Sequence, residues 1–236
     1  MDTLREARSI RRMFGAIASN YDLLNHLLSL NRDREWRRRA VRTAPVTGPV
    51  LDVCCGTGDM AIEWRALVSP GERVVAADFC PEMLTLLRRK AGGAGLGVAA
   101  GDTLRLPWPS NTFGAVSVAF GIRNVADLRG GIAEMKRVAR PGGRVVILEF
   151  TTPANPVFRA AYLLYFMLVL PFIGNLVSGS GENAYGYLPR SVMNFPSRDR
   201  LLSILAEEGL EDVRAHDLSL GIVNVFTGVK GGEDRE

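Results

Sequence analysis

Only three cysteines occur in the 236 residues, Cys54, Cys55 and Cys80. Two are adjacent and none belongs to a C-x-x-C pair, so neither a disulfide framework nor a cysteine zinc site is expected, and a reduced, cytoplasmic setting is the default. Histidine is scarcer, with only His26 and His216, and no carboxylate cluster suggests magnesium, so no metal is expected. No apolar run of roughly 7–15 residues follows the basic N-terminal residues, which argues against a secretory signal. The most apolar segment, Ala160 to Gly174, holds 14 residues before its glycine. A membrane span needs roughly 20, so this segment reads as an amphipathic or buried helix shaping an apolar pocket. There is no internal repeat, and nothing is of low complexity beyond a polar tail at 231–236.

What is present is a chain with 47% apolar residues and slightly positive mean hydropathy, enough for a packed core. Its length suits one α/β domain with an insertion. The net charge of +4 is uneven: residues 1–42 carry 10 arginines against 5 acids, and the remainder carries 19 basic and 20 acidic residues. A basic N-terminal arm could meet an anionic membrane or nucleic acid. A solvated helical face is the simpler reading. Against nucleic acid, no aromatic-interleaved basic stripe follows.

From Thr3 to Arg42 the pattern is helical, with Ile10, Met13, Phe14 and Ile17 at helical spacing and turn signals near Ser19-Asn20 and Ser29-Asn31. After Pro45, Gly48 and Pro49, strands alternate with helices. The strands are PVLDVC, RVVAAD, LGVAAG, FGAVSVAF and RVVILEF, with helices expected near 59–68, 81–91 and 127–139. A helix near Ser197–Glu208 and two terminal strands, EDVRAHDLS and IVNVFTGVK, follow. This alternation predicts an α/β fold, a doubly wound, mostly parallel sheet of seven strands. N-terminal helices precede the sheet, and a helical insert comes before the last two strands. The expected division is a helical lid over 1–45, a cofactor-binding core over 46–152, an apolar insert over 153–196 and a terminal helix and strands over 197–230.

The stretch LDVCCGTGDM, Leu51 to Met60, runs from a strand through a glycine turn into a helix. Read as G-x-G-x-x-A through Gly56, Gly58 and Ala61, it fits a dinucleotide fingerprint. Asp78 ends the next strand, 20 residues after Gly58, where an acid can accept hydrogen bonds from ribose hydroxyls. These two features suit NAD and any other adenosine ligand equally. The two cysteines are small residues that fit a crowded turn.

A third feature separates the alternatives. Asp52 lies inside the first strand, and Gly101-Asp102-Thr103 closes the third, ahead of a loop through Leu106-Pro107. The order D-x-x-x-G-x-G, acid, then GD-x(4)-P resembles class I S-adenosylmethionine-dependent methyltransferases. That resemblance implies a Rossmann-like fold in which Asp52, Gly56, Thr57 and Gly58 lie at the methionine end, Asp78 at the ribose, and Asp102 and Thr103 at the adenine. A carboxylate near a sulfonium also makes electrostatic sense.

Two further stretches, YDLLNHLLSLNRDREW (Tyr21 to Trp36) and RVARPGGRVVILEFT (Arg137 to Thr151), resemble the two signatures of the UbiE/MenG family of quinone C-methyltransferases. FGIRNV (Phe120 to Val125) is also typical, and the resemblance covers nearly the whole chain. It departs at Leu24, where the signature has methionine, at Asp33, where it has histidine, at Ala119, often serine, and at Arg140, usually lysine. The resemblance implies methyl transfer from S-adenosyl-L-methionine to a ring carbon of a prenylated quinol, here a demethylmenaquinol in menaquinone biosynthesis. The alternatives are a polyprenyl-methoxy-benzoquinol of the ubiquinone pathway or another prenylated quinol. More distant are an RNA or other small-molecule methyltransferase and a binding scaffold without turnover. A polyprenyl tail needs an apolar groove, which the 160–174 insert with Phe172, Ile173 and Leu176 could supply. The basic helices could lay the enzyme on the inner face of the cell membrane as a peripheral protein.

For such a reaction the quinol must be reduced, and a phenol near pKa 10 needs help to ionise at neutral pH. Arg123, expected at the end of the fourth strand and facing the cofactor crevice, is the candidate to stabilise the phenolate. Asn124 could orient the ring oxygen or a water, and Tyr21 could close the lid. Glu149 is expected to anchor its strand end, and His26 and His216 to be structural or exposed. The sequence leaves the oligomeric state open, a homodimer included.

Overall fold

The computed structural model describes residues 10–16, 18, 21–44, 46–153, 155–165 and 184–232. Two N-terminal helices, α1 (Tyr21–Leu28) and α2 (Arg32–Arg42), follow a helical segment over 10–16. They are separated at Ser29–Asn31, as the turn signal there predicts, and Leu30 and Asn31 both adopt left-handed φ angles of 53° and 60°. Asparagine tolerates that region and leucine does not, so the sharp break depends on the packing of both helices. Ile17, Ser19, Asn20 and Pro45 lie outside the described residues.

The expected strands form as β1 (Val50–Val53), β2 (Val74–Asp78), β3 (Leu96–Ala100), β4 (Phe113–Ala119), β5 (Ala139–Phe150), β6 (Leu210–Leu218) and β7 (Val223–Lys230). They make one sheet in the order β3-β2-β1-β4-β5-β7-β6. All neighbours from β3 to β5 pair in parallel, and β7 runs antiparallel between β5 and β6. Strand β5 starts at Ala139, earlier than RVVILEF suggests, because Ala139 pairs with Phe113 across a register shift.

Helices α3 (Asp59–Leu67), α4 (Pro81–Lys90), α5 (Leu128–Val138) and α8 (Arg198–Glu207) match the expected positions to within a residue or two. Between β5 and α8 lie α6 (Pro156–Leu164) and α7 (Ala184–Met193). The apolar insert is therefore helical where it is described. Its part over 166–183, with Phe172, Ile173 and Leu176, lies outside the described residues. Among the described residues no helix is long and apolar enough to cross a membrane.

Alternation along β1 splits the core between two faces. Leu51 and Val53 join Phe113, Val116, Val118, Ile132, Met135, Ile147, Leu201 and Phe226 beneath α5 and α8. Val50 joins Trp36, Ala40, Val41, Met60, Ala61, Trp64, Ala115 and Val146 beneath α2 and α3. All four β1 residues are buried, as in a central strand of a parallel sheet covered on both faces. One of them is an acid, Asp52, whose pairing residue on β4 is Ser117. The strand order reverses between β1 and β4, so the carboxyl ends of these strands open a crevice of the kind that binds ligands in α/β sheets.

Candidate active site

The turn after β1 is built from residues that accept unusual backbone angles. Cys54, Gly56 and Gly58 have φ of 48°, 54° and 88°. The Gly58 amide donates to the Cys55 carbonyl at 2.9 Å, and the Cys55 amide to the Ala77 carbonyl at 3.0 Å, which ties the turn to β2. Asp78 completes this tie: Oδ2 accepts from the Gly56 amide and Oδ1 from the Cys80 amide, each at 2.8 Å. Burial pushes the Asp78 carboxyl above its ordinary range, against the pull of the Cys80 and Gly56 amides. A strand-end clamp and a face toward the crevice coexist in this one residue.

Around the turn lies a cleft of about 750 Å³, counting its open mouth. Asp78, Asp102, Thr103 and Asn124 supply polar groups to its wall, Gly56 and Gly121 supply open backbone, and Phe79, Met83, Leu104 and Val125 supply apolar surface. Asp102 closes a turn by accepting the Leu104 amide at 2.9 Å. The Thr103 hydroxyl meets Cys54 Sγ at 3.1 Å. Gly121 is required by closeness, since a Cβ there would stand 2.5 Å from Cys54 Cβ. The thiols are held protonated: burial, with Asp78 nearby, raises Cys54 to about 12 and Cys55 well above its usual value. Small size is thus their visible property, as expected.

A smaller cavity of about 300 Å³ shares Tyr21, Cys54 and Gly56 with the cleft and adds Arg37, Asp52, Thr57, Asp59 and Ala119. Asp52 is fully buried. Its Oδ1 accepts from the Ser117 hydroxyl at 2.7 Å, which in turn accepts from the Trp64 indole at 2.8 Å. Its Oδ2 has no hydrogen-bond partner among the described residues. Burial is the larger effect on its carboxyl, and Ser117 and Arg37 only partly oppose it, leaving a value of about 7.

Helix α1 is fastened over this turn. The Thr57 hydroxyl donates to Asp22 Oδ1 at 2.5 Å, and Lys90 bridges Asp22 at 2.7 Å and Asp59. Tyr21 lies on the wall of both cavities, stacked edge-on against Phe14 with centroids 6.0 Å apart. Burial raises its phenol above 10, against the charge of Arg123. The phenol stays protonated at neutral pH and can donate a hydrogen bond.

Arg123 needs correction. It does not end β4 and face the crevice; it lies in a 3-10 turn (Ile122–Asn124) and lines neither cavity. Its side chain is 7% exposed, and Nη1 donates to Glu149 Oε1 and to the Phe120 carbonyl, both at 2.6 Å. The physical reason is Glu149, a fully buried carboxylate on β5 that demands a partner. Glu149 also accepts the Phe150 amide at 2.9 Å, so it anchors the strand end as expected. Arg123 Nε and Glu149 Oε2 are buried without hydrogen-bond partners among the described residues.

Asn124 does line the cleft, and its Oδ1 accepts from the Tyr187 hydroxyl of α7 at 3.0 Å. Its amide nitrogen is left as a donor.

His26 and Asp33 form a pair that the sequence did not announce. Asp33 is 3% exposed and receives His26 Nδ1 at 2.8 Å, Ser29 Oγ at 2.7 Å and Arg37 Nη1 at 2.5 Å. His26, Asp33 and Asp59 cluster closely enough to hold a cation, and the guanidinium of Arg37 is the cation they face. His216 is exposed. Sequence reasoning passed over Arg37, Asp22, Lys90 and Tyr187. One signal existed for Arg37: positions 33, 36, 37, 40 and 41 form the buried stripe of α2, and an acid–base pair at i,i+4 on a buried stripe is rarely accidental.

Residues 1–230 match the model of the ubiE/COQ5 methyltransferase family. A demethylmenaquinone methyltransferase of Deinococcus radiodurans is 47% identical over 233 residues, covering 97% of this chain and 95% of the relative. A ubiquinone/menaquinone biosynthesis C-methyltransferase UbiE of Geobacter sulfurreducens is 45% identical, with 94% and 88% covered. Among solved structures, an S-adenosylmethionine-dependent methyltransferase of Thermotoga maritima shares the fold at a TM-score of 0.64 and 17% identity, covering 93% of this chain and 98% of its own. With its doubly wound sheet, glycine turn and terminal antiparallel pair of strands, the chain belongs to the ubiE/COQ5 methyltransferase family and is an S-adenosylmethionine-dependent methyltransferase.

Proposed function

We propose that this enzyme methylates a ring carbon of demethylmenaquinol to give menaquinol, using S-adenosylmethionine as donor. The observation that carries the reading is the cleft at the carboxyl ends of β1, β2 and β4, matched over nearly the full chain by a relative named for that reaction. The residues fit the donor. Asp102, Thr103 and the apolar wall of Phe79 and Leu104 suit an adenine, and Asp78 keeps lone pairs for ribose hydroxyls. Gly56 and Thr57, with Asp52 behind them, suit the methionine end, and Gly58, which lines neither cavity, closes the turn that presents them. When bound, the donor supplies an electrophilic methyl on a sulfonium.

The chain's own residues then have to orient the acceptor ring and shed water from it. Tyr21 on α1 covers the junction of the two cavities and acts as the lid. The amide nitrogen of Asn124, fixed by Tyr187, donates to a ring oxygen of the quinol. Arg123 acts behind Asn124 as a positioning residue, its positive charge favouring the phenolate form of the ring. The apolar insert, of which α6 and α7 are described parts, receives the prenyl tail.

Mass spectrometry of a short-chain demethylmenaquinone incubated with enzyme and donor, with and without a reductant, tests this. A single ring methyl gained only under reducing conditions is expected. Methylation of a methoxy-benzoquinol in its place would move the enzyme to the ubiquinone branch, which the Geobacter relative's name also covers.

The same reading includes peripheral contact with a bilayer. Leu23, Leu27 and Leu30 are 60%, 44% and 77% exposed at helical spacing, beside the exposed Arg32, Arg34 and Arg42. Leucines inserted at the interface and arginines over anionic headgroups are a familiar pairing. Cosedimentation with anionic phospholipid vesicles should fall on replacing all three leucines by serine; no cosedimentation of the unaltered protein at low salt would remove the membrane from the account.

A further inference from the structure

We infer that Arg37 is the anchor for the carboxylate at the amino-acid end of the methyl donor, an inference that rests on the adenosylmethionine reading above. The two cavities meet at Tyr21, Cys54 and Gly56. The larger offers apolar surface and acids, which suit a nucleoside. The smaller is polar, and a ligand that spans both presents its far end there. Among the described residues, Arg37 is the one cationic side chain lining either cavity. Asp52, whose Oδ2 has no hydrogen-bond partner among the described residues, lines the same small cavity. One cation and one free acceptor are the complement of a zwitterion.

The guanidinium is held for this purpose. It is 6% exposed and lies 5.5 Å over the Phe120 ring. Nη1 is fixed by Asp33 at 2.5 Å, and Asp33 is itself held by His26 and Ser29. Nη2 is 3.6 Å from Asp59 Oδ2, past hydrogen-bond distance, and Asp59 has Lys90 for its own partner. One edge of the planar fork is therefore committed, and the other, ion-paired with Asp59 but not hydrogen-bonded to it, is left to donate. Buried arginines in such a fork geometry bind carboxylates by paired, charge-assisted hydrogen bonds. Asp33, at the position where the family signature has histidine, becomes the positioning residue for that fork.

Calorimetric binding of two nucleosides separates this role from a structural one. S-Adenosylhomocysteine carries the amino-acid end, and 5′-methylthioadenosine lacks it. For Arg37→Met, affinity for adenosylhomocysteine should fall about 10- to 100-fold, the range of one lost charged hydrogen-bonding group, with methylthioadenosine unchanged within about 2-fold. Arg37→Lys keeps a cation beside Asp33 and covers the case in which the methionine variant does not fold. It should show a smaller loss, again confined to adenosylhomocysteine. Equal losses for both nucleosides, or no loss for either, would overturn the anchor. Failure of the unaltered protein to bind either nucleoside would overturn the donor reading itself, and the anchor with it.

Discussion

Arg123→Met is expected to destabilise the protein by about 3–5 kcal/mol, the usual cost of stranding one member of a buried ion pair. The partner left behind is Glu149, which is fully buried and whose Oε2 already has no hydrogen-bond partner among the described residues. Burial alone raises the Glu149 carboxyl above its ordinary range, and Arg123 is the chief group opposing that rise. Without Arg123 the folded-state value climbs further, while the unfolded value stays put. A raised folded value means that the native state holds a proton which the unfolded state has lost. The stability of Arg123→Met should therefore fall as pH rises through that higher value, and its deficit against the parent should narrow toward pH 5. Urea denaturation of both proteins between pH 5 and 8 measures this. The double variant Arg123→Met/Glu149→Gln should recover part of the loss at pH 8, since it leaves no buried charge. A deficit independent of pH would mean that the packing of Arg123 over Phe150, at 5.7 Å, matters more than its charge.

This pair also marks where sequence reading stops. Local patterns announced the strands, the helix starts and the break at Ser29–Asn31, because each is set by neighbouring residues: β-branched runs, Ser197 capping α8, Asp127 capping α5. The glycine turn was legible for the same reason, with Asp52 to Gly58 lying within one strand and one turn. The resemblance to the quinone methyltransferases supplied the candidate residues of the crevice. What was not legible depends on distance along the chain. Arg123 and Glu149 are 26 residues apart, and only the adjacency of β4 and β5 brings them together. The sequence points Arg123 to the crevice because its neighbours are there, and the 3-10 turn after Phe120, whose φ is 56°, turns it inward. The insertion of β7 between β5 and β6 likewise rests on pairings across the whole second half of the chain. Asp22, Thr57, Lys90 and Asp59 are four polar residues that look like solvated surface one by one. They become a fastening only when α1 is laid across the turn.

Gly58→Ala should show how tightly that turn is built. Two constraints act at this one position: a φ of 88°, and a Cβ that would stand 2.5 Å from Leu87 Cδ1 and 2.8 Å from its Cγ. Leu87 has nowhere to swing, since it is fully buried among Met60, Ala61 and Trp64 in the core beneath α3. Backbone strain of about 1–3 kcal/mol and overpacking of about 1–3 kcal/mol act together, so a total loss of about 2–6 kcal/mol is expected on denaturation. Leu87→Ala separates the two. In that background the methyl of Gly58→Ala meets the space that leucine vacated, so its cost should shrink to the backbone share. The same cost in both backgrounds would mean that the left-handed turn alone fixes glycine here. A smaller cost would mean that α4 presses on the loop, and that the fit of the loop to its ligand is set partly by the helix that follows β2. Adenosylhomocysteine affinity then reports the consequence: weakened by Gly58→Ala, and restored in part by Leu87→Ala only if the pressure of α4 is what displaces the turn.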